Sequence, residues 1–172
     1  MKVIFLDRDG VINKDIGYLF KVQDFKFTEG VFGACKGFQL LGYELIIVTN
    51  QSGIARGYYQ EEDFHELTAW MLGQFETRGI RILDVLFCPH GPTSACECRK
   101  PKPGMLLAAR EKYCINMKNS WLIGDKETDI EAAYAAGVDK TILVKSGHIV
   151  GESDTKAKFL VESIKESSNI IR

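Results

Sequence analysis

The sequence predicts an α/β fold: a single doubly wound, Rossmann-like domain built on a mainly parallel sheet. Three observations predict it. Short continuous apolar runs alternate with amphipathic helical stretches almost to the C-terminus, and strands that are apolar throughout belong to a parallel sheet covered on both faces. Several of these runs end abruptly in polar or acidic residues, as strands do where they leave the core. The 172 residues suit one domain, taken as 1–172, with no repeat, linker or low-complexity segment.

Each element follows in order. The first strand, Val3 to Leu6, passes straight into Asp7, Arg8, Asp9 and Gly10. A polar and aromatic loop runs from about Asn13 to Gly30. A helix then spans Val31 to Leu41, with Gly42 as its C-cap. Tyr43 to Asn50 is the second strand. Glu61 to Gly79 is a long helix that opens on acids. Ile80 to Pro89 supplies the third strand, and Lys102 to Ile115 a helix with Pro103 near its first turn. Ser120 to Asp125 is the fourth strand, Glu127 to Gly137 a helix, and Lys140 to Gly147 the fifth strand. Lys158 to Ser163 reads as a short edge strand before a last helix reaching about Ile171.

Bulk composition narrows the function classes. Hydrophobic residues make up 45% and charged residues 26%, ordinary for a soluble globular chain. The net charge of −1 carries no basic bias toward nucleic acid. No segment approaches the roughly 20 apolar residues that span a bilayer. The first strand begins within two residues of Met1, so no signal peptide is expected. The expectation is a cytoplasmic protein with no membrane partner, and nothing demands more than a monomer.

Five cysteines are an odd number for a disulfide scaffold. Cys35 and Cys114 sit alone in helical patterns and read as small core hydrophobes. Cys88 and His90 are two apart, and Cys96 and Cys98 repeat that spacing. In a reducing compartment such a cluster reads as metal binding. Three sulfurs and an imidazole suit a closed tetrahedral Zn²⁺ site. Four protein ligands leave no open position, so this zinc would be structural. It would fold a loop that lacks its own core and present Arg99 and Lys100 directly after the last ligand.

Right-handed crossovers place the carboxyl ends of all the parallel strands on one rim, where such sheets bind ligands. Strand one delivers Asp7 and Asp9, and strand two delivers Thr49 and Asn50. Strand four delivers Gly124, Asp125 and Lys126, with Asp129 one helical turn on. The loop after strand three delivers Arg99 and Lys100. Acids at the ends of buried strands repel one another and lose solvation, costs that a divalent cation relieves. Oxygen ligands without soft donors suit Mg²⁺. Carboxylates with Mg²⁺, a lysine and a hydroxyl form a phosphoryl-transfer constellation. Within it Asp7 is placed to attack phosphorus in line. Asp9, two residues on, acts first as general acid on the leaving oxygen and then as general base on water. Gly10 lets the chain turn sharply beside them.

The strings "DRDG", "VTN", a lysine after strand three, and "GDKETD", in that order, resemble the four motifs of haloacid dehalogenase-like hydrolases. Within that superfamily, "FLDRDGVIN", "GY" at Gly17–Tyr18, "VTNQSGIARG", "CPH…CxCRKPKPGM" and "GDKETDIEAAYAAG" resemble the heptose bisphosphate phosphatase family. The resemblance implies a phosphatase that removes the 7-phosphate of D-glycero-D-manno-heptose 1,7-bisphosphate through an aspartyl-phosphate. Such an enzyme supplies nucleotide-activated heptose for bacterial surface polysaccharide. It implies Mg²⁺ held by Asp7, Asp125 and the Asp9 carbonyl, and Thr49 and Lys100 stabilising the phosphoryl group. Arg99 would recognise the substrate. Asp15, Ile16, Gly17 and Tyr18, with Thr49, Asn50, Gln51 and Ser52 and with Lys126, would line the sugar site. The match puts the motif lysine at Lys100 rather than Lys102. Asp129 either supports Lys100 or contacts the metal directly. The family also has a similar zinc loop. A chain of this length has no room for the large cap domain found in many of these phosphatases, so loops must select the substrate, with Asn13 to Lys26 as the lid.

Competing readings keep a place. Zinc-loop histidinol-phosphate phosphatases share the skeleton, although a cation such as Arg99 suits an anionic sugar better than a cationic amino alcohol. A non-catalytic zinc-stabilised binding module would be expected to lack Asp7 or Asp9. A nucleic-acid 3′-phosphatase is weakened by the neutral charge. His65 and His148 read as surface or structural residues without a partner. Phe64, Leu67, Trp70, Met71 and Phe75 follow helical spacing and read as core, and Trp121 lies in a buried strand. Arg56, in a glycine-flanked loop, is a candidate for a second phosphate.

Overall fold

A computed structural model of the chain describes residues 1–146 and 149–172. His148 therefore lies outside the described residues. Six strands form one sheet, every pairing in it parallel: β1 (Val3–Leu6), β2 (Glu44–Asn50), β3 (Asp84–Cys88), β4 (Trp121–Gly124), β5 (Lys140–Val144) and β6 (Phe159–Val161). Their order is β3-β2-β1-β4-β5-β6. The chain winds outward from β1 to β3, then returns to β1's other side and winds outward again.

The strands' alternation sorts the core into two layers. Ile4, Leu6, Leu45 and Ile47 face one way, under α1 (Val31–Leu40), α2 (Glu61–Glu76) and α5 (Ile164–Ser167). Val3, Phe5, Ile46 and Val48 face the other, under α3 (Gly104–Tyr113) and α4 (Glu127–Ala135). Both faces of the central strands are thus buried, which is why their sequences are apolar without alternation. Among the described residues, no helix is long and apolar enough to cross a membrane.

Several expectations need correction. The third strand begins at Asp84, because only there does the ladder with Ile46 start. The tail forms the edge strand β6, but α5 is four residues long and does not reach Ile171. Cys114 is exposed rather than core, since it adopts the left-handed conformation that ends α3. Cys35 is buried, and burial alone pushes its thiol up to about 12. Phe64, Leu67, Met71 and Phe75 are core residues, while Trp70 is half-buried at its margin. His65 is exposed, as expected, but pairs with Glu61 one turn earlier at 3.3 Å. Trp121 is buried, its Nε1–H donating to the Tyr43 hydroxyl at 3.2 Å.

Candidate active site

The sheet changes its winding direction between β1 and β4, so the carboxyl ends of these strands form its natural crevice. Asp7 leaves β1 there and Asp125 leaves β4. Asp7 is buried, and its Oδ1 accepts the Arg8 N–H at 2.8 Å and Lys100 Nζ at 2.9 Å. Lys100 Nζ also lies 2.6 Å from Asp129 Oδ1 and donates to the Val48 carbonyl at 2.8 Å. Asp129 stands in the first turn of α4, where its Oδ2 accepts the N–H groups of Asp125 at 3.2 Å and Lys126 at 3.1 Å. Capping the helix with one oxygen aims the other at Lys100. Both Asp129 oxygens are therefore engaged by the protein, which favours its support of Lys100. Gly10, at φ 88°, leaves clear the space that the Asp125 carboxylate fills, and any Cβ there would collide with it.

Three carboxylates here face one buried ammonium. Burial pushes the Asp125 carboxyl up to about 9, with Asp7 and Asp129 adding to the rise. Burial also pushes Asp7 up to about 6, with Asp129 adding to it and Lys100 pulling against it. Burial works against the Lys100 ammonium, but Asp129 and Asp7 outweigh it and hold the group well above its ordinary range. Asp125 Oδ1 is buried with no hydrogen-bond partner among the described residues. Asp7, Asp125 and Asp129 each offer an oxygen within 4.8 Å of the others. Surplus negative charge, an orphaned buried oxygen and oxygen-only donors fit a hard dication such as Mg²⁺.

Asp9 is held differently. Burial raises its pKa, but the neighbouring Arg8 guanidinium and hydrogen bonds from Asn13, Arg8 and Gln51 outweigh burial and lower it. Arg8 Nη2 reaches both Asp9 oxygens at 3.0 and 3.1 Å and also the Leu19 carbonyl at 3.1 Å. Asn13 Nδ2 adds a bond to Asp9 Oδ1 at 3.0 Å. Arg8 and Asn13 were not singled out from sequence. A cation between two acids in "DRD" was the available signal for Arg8, whereas Asn13 carried none.

A cleft of about 440 Å³ opens over these groups. Asp7, Asp9, Asn50, Gln51, Ser52, Arg99 and Lys100 line it, as do Asp15, Gly17, Tyr18 and Lys126. Three expected residues are not on its wall. Ile16 points outward and is exposed. Thr49 is fully buried beneath the wall, its Oγ1 accepting from Gln51 Nε2 at 2.8 Å. Asp125 is half-buried off the wall, its carboxylate packed against Gly10. Asn50 lines the cleft, but its amide is spent on the Lys100 backbone: Nδ2 donates to the Lys100 carbonyl and Oδ1 accepts the Lys100 N–H, each at 3.1 Å. Lys126 Nζ sits 3.4 Å from Asp15. Lys102 turns away to the Cys96 carbonyl at 2.7 Å, so Lys100 is the lysine at the site. Arg56 lies over the Tyr18 ring at 5.8 Å and does not line the cleft.

Beyond the end of β3, Cys88, His90, Cys96 and Cys98 bring their ligand atoms within 4.8 Å of one another. The Cys88–Cys96 sulfur separation is 3.7 Å, and His90 Nδ1 lies 3.3 Å from Cys98 Sγ and 3.5 Å from Cys88 Sγ. Two thiolates on one tetrahedral zinc stand roughly 3.8 Å apart, given bonds of about 2.3 Å. The Cys88–Cys96 pair matches this, and the Cys88–Cys98 pair at 2.9 Å is closer. It is the donor types, three sulfurs and an imidazole, that suit that ion. Arg99 Nη1 donates to the His90 carbonyl at 3.2 Å, tying the cleft arginine to the cluster.

Comparison with known proteins agrees with this architecture. A HAD-hydrolase-like family model matches residues 97–167. D-glycero-alpha-D-manno-heptose-1,7-bisphosphate 7-phosphatase from Photorhabdus laumondii is 48% identical, covering 91% of this chain and 90% of that protein. D-glycero-beta-D-manno-heptose-1,7-bisphosphate 7-phosphatase from Vibrio cholerae is 47% identical, with coverage of 95% and 92%. The crystal structure of D,D-heptose 1,7-bisphosphate phosphatase from B. bronchiseptica, complexed with magnesium and phosphate, superposes with a TM-score of 0.88. It is 29% identical, covering 99% of this chain and 98% of that one. The chain belongs to the heptose-1,7-bisphosphate 7-phosphatase family of HAD-like hydrolases.

Proposed function

We propose that the protein is a Mg²⁺-dependent phosphomonoesterase that removes the 7-phosphate of D-glycero-D-manno-heptose 1,7-bisphosphate. Nucleotide-activated heptose for surface polysaccharide would be the downstream product. The observation that carries the reading is the buried Asp7–Lys100–Asp129 chain at the sheet's switch point, with Asp9 on the cleft beside it.

The Asp7 carboxylate attacks phosphorus in line. A bond forms from Asp7 oxygen to phosphorus as the bond to the sugar oxygen breaks. Lys100, 2.9 Å from Asp7, offsets the repulsion between carboxylate and phosphate dianion. Asp9 gives its proton to the departing sugar oxygen. The phosphate's own negative charge favours protonated Asp9 in the complex, against the pull of Arg8. Asp9 then takes a proton from water, which attacks the aspartyl-phosphate and releases inorganic phosphate and free Asp7. Mg²⁺ held by Asp7, Asp125 and the Asp9 carbonyl would supply Lewis-acid stabilisation of the phosphoryl oxygens. Arg99 and Lys126 are the cleft cations left to recognise the rest of the substrate. Zn²⁺ on the Cys88–Cys98 loop would fix Arg99 through His90. Thiols that must stay reduced to bind metal support a cytoplasmic setting, and the neutral charge supports a small-molecule substrate over nucleic acid.

Phosphate release with Mg²⁺ from both anomers of the bisphosphate and from histidinol phosphate tests this reading. Preference for one bisphosphate anomer, abolished by Asp7→Asn, is the expected result. Preference for histidinol phosphate would keep the mechanism and overturn the substrate.

A further inference from the structure

We propose that Tyr59 is a positioning residue for the reaction: acting through Gln51, it aims the Asp9 carboxylate at the leaving oxygen. The inference rests on the reading of Asp9 as acid and base. Gln51 is almost fully buried. Its Nε2 donates to Asp9 Oδ2 at 3.1 Å and to Thr49 Oγ1 at 2.8 Å, and its Oε1 accepts the Tyr59 hydroxyl at 2.5 Å. A primary amide has two N–H donors and a carbonyl with two lone pairs, so these bonds spend both donors and one acceptor site. Turning the amide over would set its carbonyl against the acceptor-only Asp9 carboxylate, so Asp9 selects the face Gln51 shows it. The Tyr59 hydroxyl, donating to the Gln51 carbonyl, anchors the far end of the amide and so fixes where that face is held.

Tyr59 is suited to that task. It is buried, and burial, opposed by Arg8, pushes its hydroxyl up to about 12, so it remains a donor. The ring stacks on Phe20 at 5.3 Å and 12°. Gly53 has no Cβ where the edge of that ring passes, and any side chain there would displace it. Phe20 follows Gly17, Tyr18 and Leu19, which line the cleft. The Leu19 carbonyl accepts from Arg8, which itself grips Asp9. The segment at the mouth of the cleft thus meets the acid by two connections, one through Arg8 and one through Tyr59 and Gln51. In a chain without a large cap, this links the placement of that segment to the aim of Asp9.

Leaving-group dependence tests the proposal. The kcat/KM value reports steps up to departure of the leaving group. A sugar alkoxide needs Asp9's proton, whereas 4-nitrophenolate leaves without one. Tyr59→Phe keeps the ring and removes only the donor. It should lower kcat/KM for the heptose bisphosphate about tenfold, the effect of one misplaced hydrogen bond. On 4-nitrophenyl phosphate the change should stay under about twofold. Asp9→Asn calibrates the assay with a larger change in the same ratio. In a Gln51→Met background, Tyr59→Phe should change the ratio no further. Should Tyr59→Phe not fold, Gln51→Met alone must still alter the ratio. Equal loss on both substrates overturns the role of Tyr59 while Asp9→Asn still discriminates. If Asp9→Asn also fails to discriminate, the acid reading falls and the inference with it.

Discussion

The acidic centre and the cysteine loop each gather side chains that a cation would hold together, yet they are built in opposite ways. Asp7 and Asp125 extend from β1 and β4, whose neighbours on both sides and both faces are core. The sheet forces these carboxylates together, and their raised pKa values record the cost. The stretch between Cys88 and Lys100 is turns and bends, and Cys96 and Cys98 are only partly buried. Little apolar packing holds that loop, so its ligand bonds must supply what the fold does not. One site draws on the stability of the domain to keep like charges close and reactive. The other has the donors for a metal that would order a segment ending in Arg99 and Lys100.

Asp7→Asn should break the acidic centre chemically and spare it structurally. Turnover of the bisphosphate should fall at least about a thousandfold, as for loss of a nucleophile. The melting temperature should move by no more than about 3 °C, because removing one carboxylate relieves repulsion while leaving Lys100 its bond to Asp129. A large fall in melting temperature would make Asp7 a structural residue instead.

Cys98→Ser should do the reverse. If Cys98 holds Zn²⁺, its loss should lower the melting temperature by about 5 °C, equivalent to about 2 kcal/mol for a domain of this size. Limited proteolysis should then cut between residues 89 and 99. Turnover should fall too, since Arg99 loses its anchor at His90. An unchanged proteolytic pattern would show that the loop orders itself.

Adding Mg²⁺ to the metal-free protein should raise its melting temperature, and more at pH 8 than at pH 5. The sign follows from the carboxyls. Asp7 and Asp125 have folded pKa values raised to about 6 and about 9, so the metal-free folded state binds more protons than the unfolded chain above pH 4. It therefore loses stability as pH rises through that window. A dication must displace both protons at pH 5 and fewer at pH 8. Equal shifts at the two pH values would remove these acids as its ligands.

The smallest effect lies away from both sites. Lys112 at 2.9 Å and the Tyr113 hydroxyl at 2.8 Å bind Asp84 and, against partial burial, lower its pKa. Its contribution is present above the unfolded carboxyl range and is lost as pH falls through the folded value. Asp84→Asn should cost a small amount of thermal stability at pH 7, a cost that shrinks as pH falls below the unfolded carboxyl range, and no phosphatase activity.

Much of this was legible in the chain. Unbroken apolar runs require a sheet buried on both faces, and acids placed where such runs stop require a rim, whatever the details of packing. Asp7, Asp9 and Asp125 could be located for that reason, Lys100 only through the family resemblance, and the paired spacing of Cys88, His90, Cys96 and Cys98 announces its own chemistry. Spacing along the chain does not report how a side chain's hydrogen bonds are spent. Gln51 and Asn50 line the cleft, as expected of substrate contacts, but sequence did not show that one amide also bridges Tyr59 to Asp9 and the other clamps the Lys100 backbone. Ile16 turned outward and Cys114 ended a helix in the open, because a loop's facing and a helix's last residue depend on neighbours distant in sequence. Sequence by itself determined the sheet, the rim and the donor types, since burial and local periodicity are written residue by residue. Only tertiary structure decided which donor meets which acceptor, since those pairs lie far apart along the chain, 93 residues for Asp7 and Lys100 and 111 for Asp15 and Lys126.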